Sequence, residues 1–208
     1  MLKLIVFDCD GVMFDSREAN RSYYNDLLRS FKRPPMFDGE LDYVHCHNVD
    51  DSVAHIFRHY PDTDLEAVHE HRLRIGYTPY LPLMKIEADL VDFLERVRPH
   101  YRCAISTNRT TTMRPLLDTY GLSDYFDLVV TSIDVAKPKP APDALFKIFA
   151  HFNCTAAETI FIGDSEVDRQ HSENAGVPLI AFKNENLAAA YHVDSFTDIL
   201  DLAPFQRR

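Results

Sequence analysis

The sequence has few basic residues and few cysteines. Lys and Arg total 22 of the 208 residues against 32 Asp and Glu, so the formal net charge is -10. An acidic surface repels the phosphate backbone of nucleic acids, and we therefore expect no nucleic-acid partner. The four cysteines are scattered and contain no CxxC pair, which indicates reduced thiols in a cytoplasmic protein and excludes a dense disulfide framework.

Long hydrophobic runs are also absent. No apolar run approaches the roughly 20 residues that a membrane-spanning helix needs. The first apolar stretch stops at Asp8, which is too early for the core of a signal peptide. Hydrophobic residues make up 46% of the chain and charged residues 26%, an ordinary globular mixture. These absences predict a soluble protein without a membrane partner.

Five short apolar runs are present, and they are typical of buried parallel strands. They occupy residues 2–7, 102–106, 128–130, 159–162 and 179–182. Helical patterns lie between or beside them at residues 87–97, 110–120, 142–152 and 166–175. Strands that alternate with helices require crossover connections, so the sequence predicts an α/β fold with a doubly wound, mainly parallel, Rossmann-like sheet.

The segment 16–83 interrupts this alternation. It contains no convincing strand, and its helical stretches at 17–31, 51–59 and 65–75 are separated by prolines. A block of helices between the first strand and the rest of the sheet predicts a small inserted domain. The expected division is a catalytic core of residues 1–15 and 84–208 and an α-helical cap of residues 16–83.

Polar side chains follow three of the predicted strands. Asp8 and Asp10 come after the first, and two further pairs follow later strands: Thr107 with Asn108, and Asp164 with Asp168. Ligands of such sheets bind beyond the carboxyl ends of the strands, where these residues should meet. Carboxylates brought close together repel one another unless they share a cation or a proton. Oxygen ligands of this kind suit Mg²⁺.

These residues resemble four motifs of the haloacid dehalogenase superfamily of phosphohydrolases, in the family's order. Phe7-Asp8-Cys9-Asp10-Gly11-Val12 resembles the DxDG[TV] signature, and Ile105-Ser106-Thr107-Asn108 resembles the second motif, a strand ending in Thr or Ser. A lysine within residues 137–143 resembles the third, and Gly163-Asp164-Ser165-Glu166-Val167-Asp168 resembles the fourth, GDxxxD. The resemblance covers essentially the whole chain, and the helical insertion is similar to a C1-type cap.

The resemblance implies a Mg²⁺-dependent hydrolase of phosphomonoesters that acts through an aspartyl-phosphate. Asp8 would be the nucleophile, and Asp10 would protonate the leaving alcohol and later deprotonate water. Thr107 and the backbone amide of Asn108 would bind phosphoryl oxygens. The resemblance also implies a set of Mg²⁺ ligands, namely the carboxylates of Asp8, Asp164 and Asp168 and the carbonyl oxygen of Asp10.

The resemblance also implies an active-site lysine, and two residues could supply it. Lys137 and Lys139 each begin a Lys-Pro-x-Pro pattern. In relatives the lysine keeps a set interval from the preceding strand and from the end of the following helix. Counting from Phe126 and from the Asn153-Cys154 turn favours Lys139 as the catalytic, phosphate-binding lysine, with Lys137 as the alternative.

The details of the motifs narrow the class of reaction. Asp10 argues against dehalogenation, which needs no leaving-group acid of that kind. Gly163-Asp164 followed by Asp168 is similar to hydrolases of the phosphoglycolate-phosphatase type, so a small phosphorylated metabolite is the expected partner. The alternative is a sugar-phosphate mutase of the β-phosphoglucomutase type, which shares the Asp-Gly-Val form of the first motif. A non-catalytic binding or regulatory protein on the same scaffold ranks third.

Overall fold

The computed structural model describes residues 1–37 and 39–206. The chain divides into two compact units. The first, called the core unit here, consists of Met1–Asp15 and the chain from Ile86 onward. The second, called the helical unit, is Ser16–Lys85.

The core unit is built on a six-stranded parallel sheet with the order β5-β4-β1-β6-β7-β8. The two remaining strands, β2 and β3, pair with each other. The strands are β1 Leu4–Phe7, β2 Phe14–Asp15, β3 Lys85–Ile86, β4 Arg102–Ser106, β5 Leu128–Val130, β6 Thr159–Gly163, β7 Leu179–Phe182 and β8 Tyr191–Val193. This sheet confirms the predicted doubly wound α/β fold and contains the five predicted strands, while β8 was not predicted.

Ten helices are present in the described residues. The helical unit contains α1 Arg17–Ser30, α2 Glu40–Cys46, α3 Val49–Phe57 and α4 Leu65–Ile75. The core unit contains α5 Leu90–Val97, α6 Met113–Thr119, α7 Asp143–Phe152, α8 Glu166–Ala175, α9 Phe196–Ile199 and α10 Ala203–Gln206. Short 3-10 turns lie at residues 78–83, 123–125, 132–134 and 156–158. None of the helices in the described part of the chain is long and apolar enough to span a membrane.

The central strand β1 is buried on both faces of the sheet. Leu4 and Val6 pack in a cluster with Leu145 and Ile148 of α7. Phe7 contacts the rings of Phe93 in α5 and of Phe196 in α9. Side chains alternate along a strand, so a fully apolar run is what a strand covered on both faces requires. The carboxyl end of β1 therefore lies in the middle of the sheet and is held rigidly.

The helical unit has a hydrophobic core of its own. Tyr23 and Leu27 of α1 pack with Val53 of α3 and Val68 of α4. Asn48 caps α3 and Asp64 caps α4, each accepting hydrogen bonds from two backbone N–H groups of the first turn. Three of the four helices match the sequence pattern closely, and α2 was not predicted.

Candidate active site

Asp8 and Lys139 form the centre of the candidate site. Asp8 follows β1 directly, and its N–H donates to the carbonyl of Ile162 at 2.9 Å. Lys139 Nζ lies 2.7 Å from Asp8 Oδ1 and 2.7 Å from Asp168 Oδ1. The Lys139 residue is only 7% exposed, whereas Lys137 is exposed. Of the two candidate lysines, Lys139 is the one that the structure places beside Asp8.

Asp168 is held in place by the first turn of α8. Its Oδ2 accepts from Ser165 Oγ at 2.7 Å and from the N–H groups of Asp164 and Ser165, each at 3.3 Å. A Cβ at Gly163 would lie 2.5 Å from Asp168 Cβ, so only glycine lets the helix approach β6 this closely. Burial opposes the charge on Asp168, but Lys139 and these hydrogen bonds outweigh it and lower the pKa of the carboxyl.

Asp164 lies over Gly11 of the loop after β1. A Cβ at Gly11 would lie 2.0 Å from Asp164 Oδ2, and Gly11 has a φ of +80°, so the loop requires glycine here on both counts. The carbonyl of Asp164 accepts from Asn184 Nδ2 at 2.7 Å. Burial, and next the charge of Asp168, raise the pKa of Asp164 to about 7.

The three carboxylates of Asp8, Asp164 and Asp168 form a group that fits a divalent cation. Each offers an oxygen, and these oxygens lie within 4.8 Å of one another. Burial and the charge of Asp168 raise the pKa of Asp8 well above its usual range, although Lys139 acts in the opposite direction. One lysine among these three carboxylates, two buried and one half-buried, leaves an excess of negative charge when all three are ionised. A hard cation with oxygen ligands would neutralise that excess.

Thr107 and Asn108 follow β4 at the same edge of the sheet. The Thr107 N–H donates to the carbonyl of Val130 at 3.1 Å, and its hydroxyl oxygen accepts from the Arg109 N–H at 3.1 Å. The Asn108 side chain bonds the backbone of Lys139 twice, at 3.0 and 3.1 Å. Asn108 therefore fixes the loop that carries the lysine.

Asp10 faces a residue that the sequence did not indicate. Arg109 Nε donates to Asp10 Oδ2 at 2.7 Å, and Arg109 Nη2 donates to Asp10 Oδ1 at 2.6 Å. The Asp10 side chain is thus turned to Arg109, while Asp8, Asp164 and Asp168 face the lysine or one another. The only signal in the sequence was that Arg109 directly follows the second motif.

His171 is a second residue that the sequence analysis missed. It is fully buried in α8, its Nδ1–H donates to the carbonyl of Ala141 at 2.6 Å, and the Ser106 hydroxyl donates to its Nε2 at 3.0 Å. Burial, and next the charge of Lys139, lower the pKa of His171 to about 4. The neutral ring ties the lysine loop to the end of β4. Its place three residues after Asp168, on the same side of the helix, was the available clue.

Comparison with known proteins identifies the family. Residues 5–182 match the family described as haloacid dehalogenase-like hydrolase. A crystal structure of a hydrolase of this superfamily, subfamily IA, from Geobacter sulfurreducens superposes with a TM-score of 0.86 at 33% identity and covers 97% of this chain and 99% of that one. The chain therefore belongs to the haloacid dehalogenase-like hydrolase family, as its motifs predicted.

Relatives of known name that are similar to this chain include phosphatases. A phosphoglycolate phosphatase of Rhodobacter capsulatus is 26% identical over 212 residues, which are 95% of this chain and 94% of the relative. A pyrophosphatase of Oceanobacillus iheyensis is 22% identical over 97% of this chain and 95% of its own length. A β-phosphoglucomutase of Clostridium difficile shares the fold, with a TM-score of 0.80 at 18% identity over 96% of this chain and 93% of the mutase. The prediction of a phosphatase is confirmed.

Proposed function

We propose that the protein is a Mg²⁺-dependent phosphomonoester hydrolase that acts through an aspartyl-phosphate on Asp8. The observation that carries this proposal is the position of Lys139 Nζ, 2.7 Å from Asp8 Oδ1 and 2.7 Å from Asp168 Oδ1. A buried cation that contacts the attacking oxygen can also neutralise the charge of a phosphoryl group beside it. Phosphoryl transfer depends mainly on such positioning and charge neutralisation.

In the first half-reaction a carboxylate oxygen of Asp8 attacks phosphorus. The bond between phosphorus and the ester oxygen breaks, and Asp10 supplies the proton that the departing alcohol needs. Thr107 Oγ and the Asn108 N–H bind oxygens of the transferred group. The products are a free alcohol and a phosphate group carried on Asp8.

In the second half-reaction a water molecule hydrolyses the aspartyl-phosphate. Asp10, now ionised, takes a proton from this water, whose oxygen attacks phosphorus. The bond between phosphorus and the Asp8 oxygen breaks, which restores the Asp8 carboxylate and releases inorganic phosphate. Asp10 has then received the proton that it donates in the next cycle.

The carboxylates of Asp8 and Asp164 and the Asp10 carbonyl would hold Mg²⁺, with Asp168 adjacent. When bound, Mg²⁺ supplies positive charge to the phosphoryl oxygens and favours the ionised form of the buried carboxylates. Asp168 already uses both oxygens, one for Lys139 and the other for Ser165 and backbone amides. Its main contribution is therefore to hold the lysine beside Asp8.

The substrate that we propose is a small cytoplasmic phosphate ester of the phosphoglycolate class. The similarity to a phosphoglycolate phosphatase over nearly the full length of both chains supports this choice. The helical unit would serve as the cap, for which the sequence predicts residues 16–83. A cap limits the size of the substrate and excludes bulk water during phosphoryl transfer.

The test is release of inorganic phosphate from a panel of substrates, with Mg²⁺ and with EDTA. The panel contains phosphoglycolate, p-nitrophenyl phosphate, pyrophosphate and several sugar phosphates. We expect metal-dependent turnover by the wild type and none by Asp8→Asn, whose side chain is similar in size but is a poor nucleophile.

Two other outcomes would overturn the proposal. Isomerisation of a sugar phosphate without net phosphate release would identify the phosphomutase alternative, which uses the same nucleophile. Failure of the folded wild type to act on any compound would favour a binding or regulatory protein.

A further inference from the structure

Arg109 holds both oxygens of the Asp10 carboxylate. Its Nε donates to Oδ2 at 2.7 Å and its Nη2 donates to Oδ1 at 2.6 Å. The Arg109 side chain is 9% exposed and the Asp10 side chain 28% exposed. A planar guanidinium that meets a carboxylate in this way fixes the direction of the carboxylate as well as its distance.

The arginine itself is held from several sides. Its N–H donates to Thr107 Oγ at 3.1 Å, and its Nη1 donates to Thr112 Oγ at 3.3 Å. Its carbonyl accepts from the N–H and the hydroxyl of Ser132, at 3.1 and 3.2 Å. The backbone of Arg109 is therefore bonded to the loops after β4 and β5, and Thr112 holds the guanidinium from a second side.

The loop after β1 fixes the backbone of Asp10. The Gly11 N–H donates to the Phe14 carbonyl at 2.8 Å, and Asp10 forms an isolated bridge with Phe14. These bonds do not set the side-chain torsions of Asp10, whereas the guanidinium constrains them. Arg109 thus contacts both oxygens of this carboxyl and constrains where it points.

We propose that Arg109 is a positioning residue that aims Asp10 for proton exchange with the leaving group. This inference rests on the proposed function, in which Asp10 is the acid and base. When one oxygen of Asp10 carries the proton, the other still accepts from Arg109, so one hydrogen bond keeps the carboxyl in place during transfer. A lysine could offer a point charge here but could not fix the plane of the carboxyl.

The leaving group provides a specific test. An alkoxide needs the proton from Asp10, whereas p-nitrophenolate departs readily without one. A positioned general acid contributes about 10²- to 10⁴-fold to rate. For Arg109→Gln we therefore expect kcat/KM to fall by about 10²-fold on the best alkyl phosphate of the panel, and by less than about 10-fold on p-nitrophenyl phosphate.

The variants and controls separate positioning from a merely structural role. In Asp10→Asn the acid is already absent, so adding Arg109→Gln should reduce the alkyl-phosphate rate no further. Arg109→Lys should restore only part of the activity on the alkyl phosphate that Arg109→Gln loses. Arg114→Gln, in which an exposed arginine of α6 is changed, should match the wild type. A thermal unfolding curve shows that each variant is folded.

The inference is overturned if Arg109→Gln slows both substrates by the same factor, or if its effect adds fully to that of Asp10→Asn. It is also overturned if Arg109→Gln retains wild-type rates on both. A wild type without activity on either ester would instead contradict the proposed function.

Discussion

Asn108 and Lys139 exchange two hydrogen bonds across the candidate site. Asn108 Nδ2 donates to the Lys139 carbonyl at 3.1 Å, and the Lys139 N–H donates to Asn108 Oδ1 at 3.0 Å. One residue follows β4, and the other lies in the loop before α7. A side-chain amide can both donate and accept, so it can pair with a backbone amide in this way. The pairing sets the starting point from which the lysine side chain reaches Asp8.

Lys139→Met should remove the positive charge that lies between Asp8 and Asp168. Asp8 and Asp168 would lose their shared cation, and we expect phosphatase activity to fall by about 10²- to 10³-fold or more. Removal of one partner from a buried ion pair costs about 3–5 kcal/mol, measured by urea unfolding with EDTA present. Lys137→Met, at an exposed position, is the matched control and should change neither quantity. A larger loss of activity in the Lys137 variant would show that the lysine is wrongly assigned.

Gly11→Ala should disrupt the site more than the same substitution at another glycine with positive φ. Gly11 and Gly121 both have positive φ, +80° and +67°, and alanine in this region costs about 1–2 kcal/mol at either position. Only at Gly11 does the new Cβ meet another residue, Asp164. We expect both variants to lose stability, and only Gly11→Ala to lose Mg²⁺-dependent activity. Equal activity in Gly11→Ala and Gly121→Ala would contradict the argument that the close approach of Asp164 to Gly11 shapes the site.

The raised pKa of Asp164 predicts how stability depends on pH without metal. Because the folded-state pKa is about 7, above the ordinary value of 3.8, the protonated carboxyl contributes stability that is fully present below pH ~4. That contribution is lost as the pH rises through about 7. In EDTA, the melting temperature of the wild type, relative to that of Asp164→Asn, should therefore be lower at pH 8 than at pH 5.5.

Added Mg²⁺ should reverse this loss. At pH 8 the Asp164 carboxyl is mostly ionised, so the rise in melting temperature caused by Mg²⁺ should be larger than at pH 5.5. The same titration with Asp164→Asn is the control and should show a smaller rise at pH 8. An identical effect of Mg²⁺ at both pH values would argue against cation binding by these carboxylates.

His171 predicts a dependence of the opposite sign at lower pH. Its pKa is lowered to about 4 from 6.5, so the neutral ring contributes stability that is present above pH ~6.5 and lost as the pH falls through about 4. The expected loss is on the order of 3 kcal/mol. In His171→Phe, the free energy of unfolding should depend less on pH between pH 6.5 and pH 4. It should also cost about 1–3 kcal/mol at pH 7.5, because it leaves Ser106 and Ala141 without their partner.

Urea unfolding at a series of pH values measures the effect of His171. The exposed His151 offers a control, since His151→Gln should leave the curve as it is in the wild type. The free energy of unfolding of the wild type, relative to that of His171→Phe, should fall between pH 6.5 and pH 4. If it does not, the conclusion that His171 is a buried neutral ring is wrong.

The strands and the residues at their ends could be predicted because both signals are local. An uninterrupted apolar run such as Leu4–Phe7 has one main interpretation, a strand covered on both faces. β8 escaped prediction because it lies at the edge of the sheet and only Val193 of its three residues is buried. Helix α2, Glu40–Cys46, is too short for its apolar spacing to distinguish it from a turn.

The partners of the site residues were harder to predict because they come from distant parts of the chain. Arg109 meets Asp10 at a separation of 99 residues, and His171 meets Ser106 at 65. Neither pairing follows from periodicity or from spacing within a motif. The preference for Lys139 over Lys137 rested on the resemblance, because the lysine of relatives keeps a set interval from the preceding strand and from the end of the following helix.

The place of β1 at the centre of the sheet has a consequence for synthesis of the protein. Leu4–Phe7 is synthesised before its neighbours in the sheet, which begin only at Arg102 and Thr159. At a translation rate of about 5–20 residues per second, this apolar segment waits many seconds for both partners. During that time its apolar side chains stay exposed. Asp8, which follows this segment, acquires its surroundings only after the chain up to Asp168 has emerged.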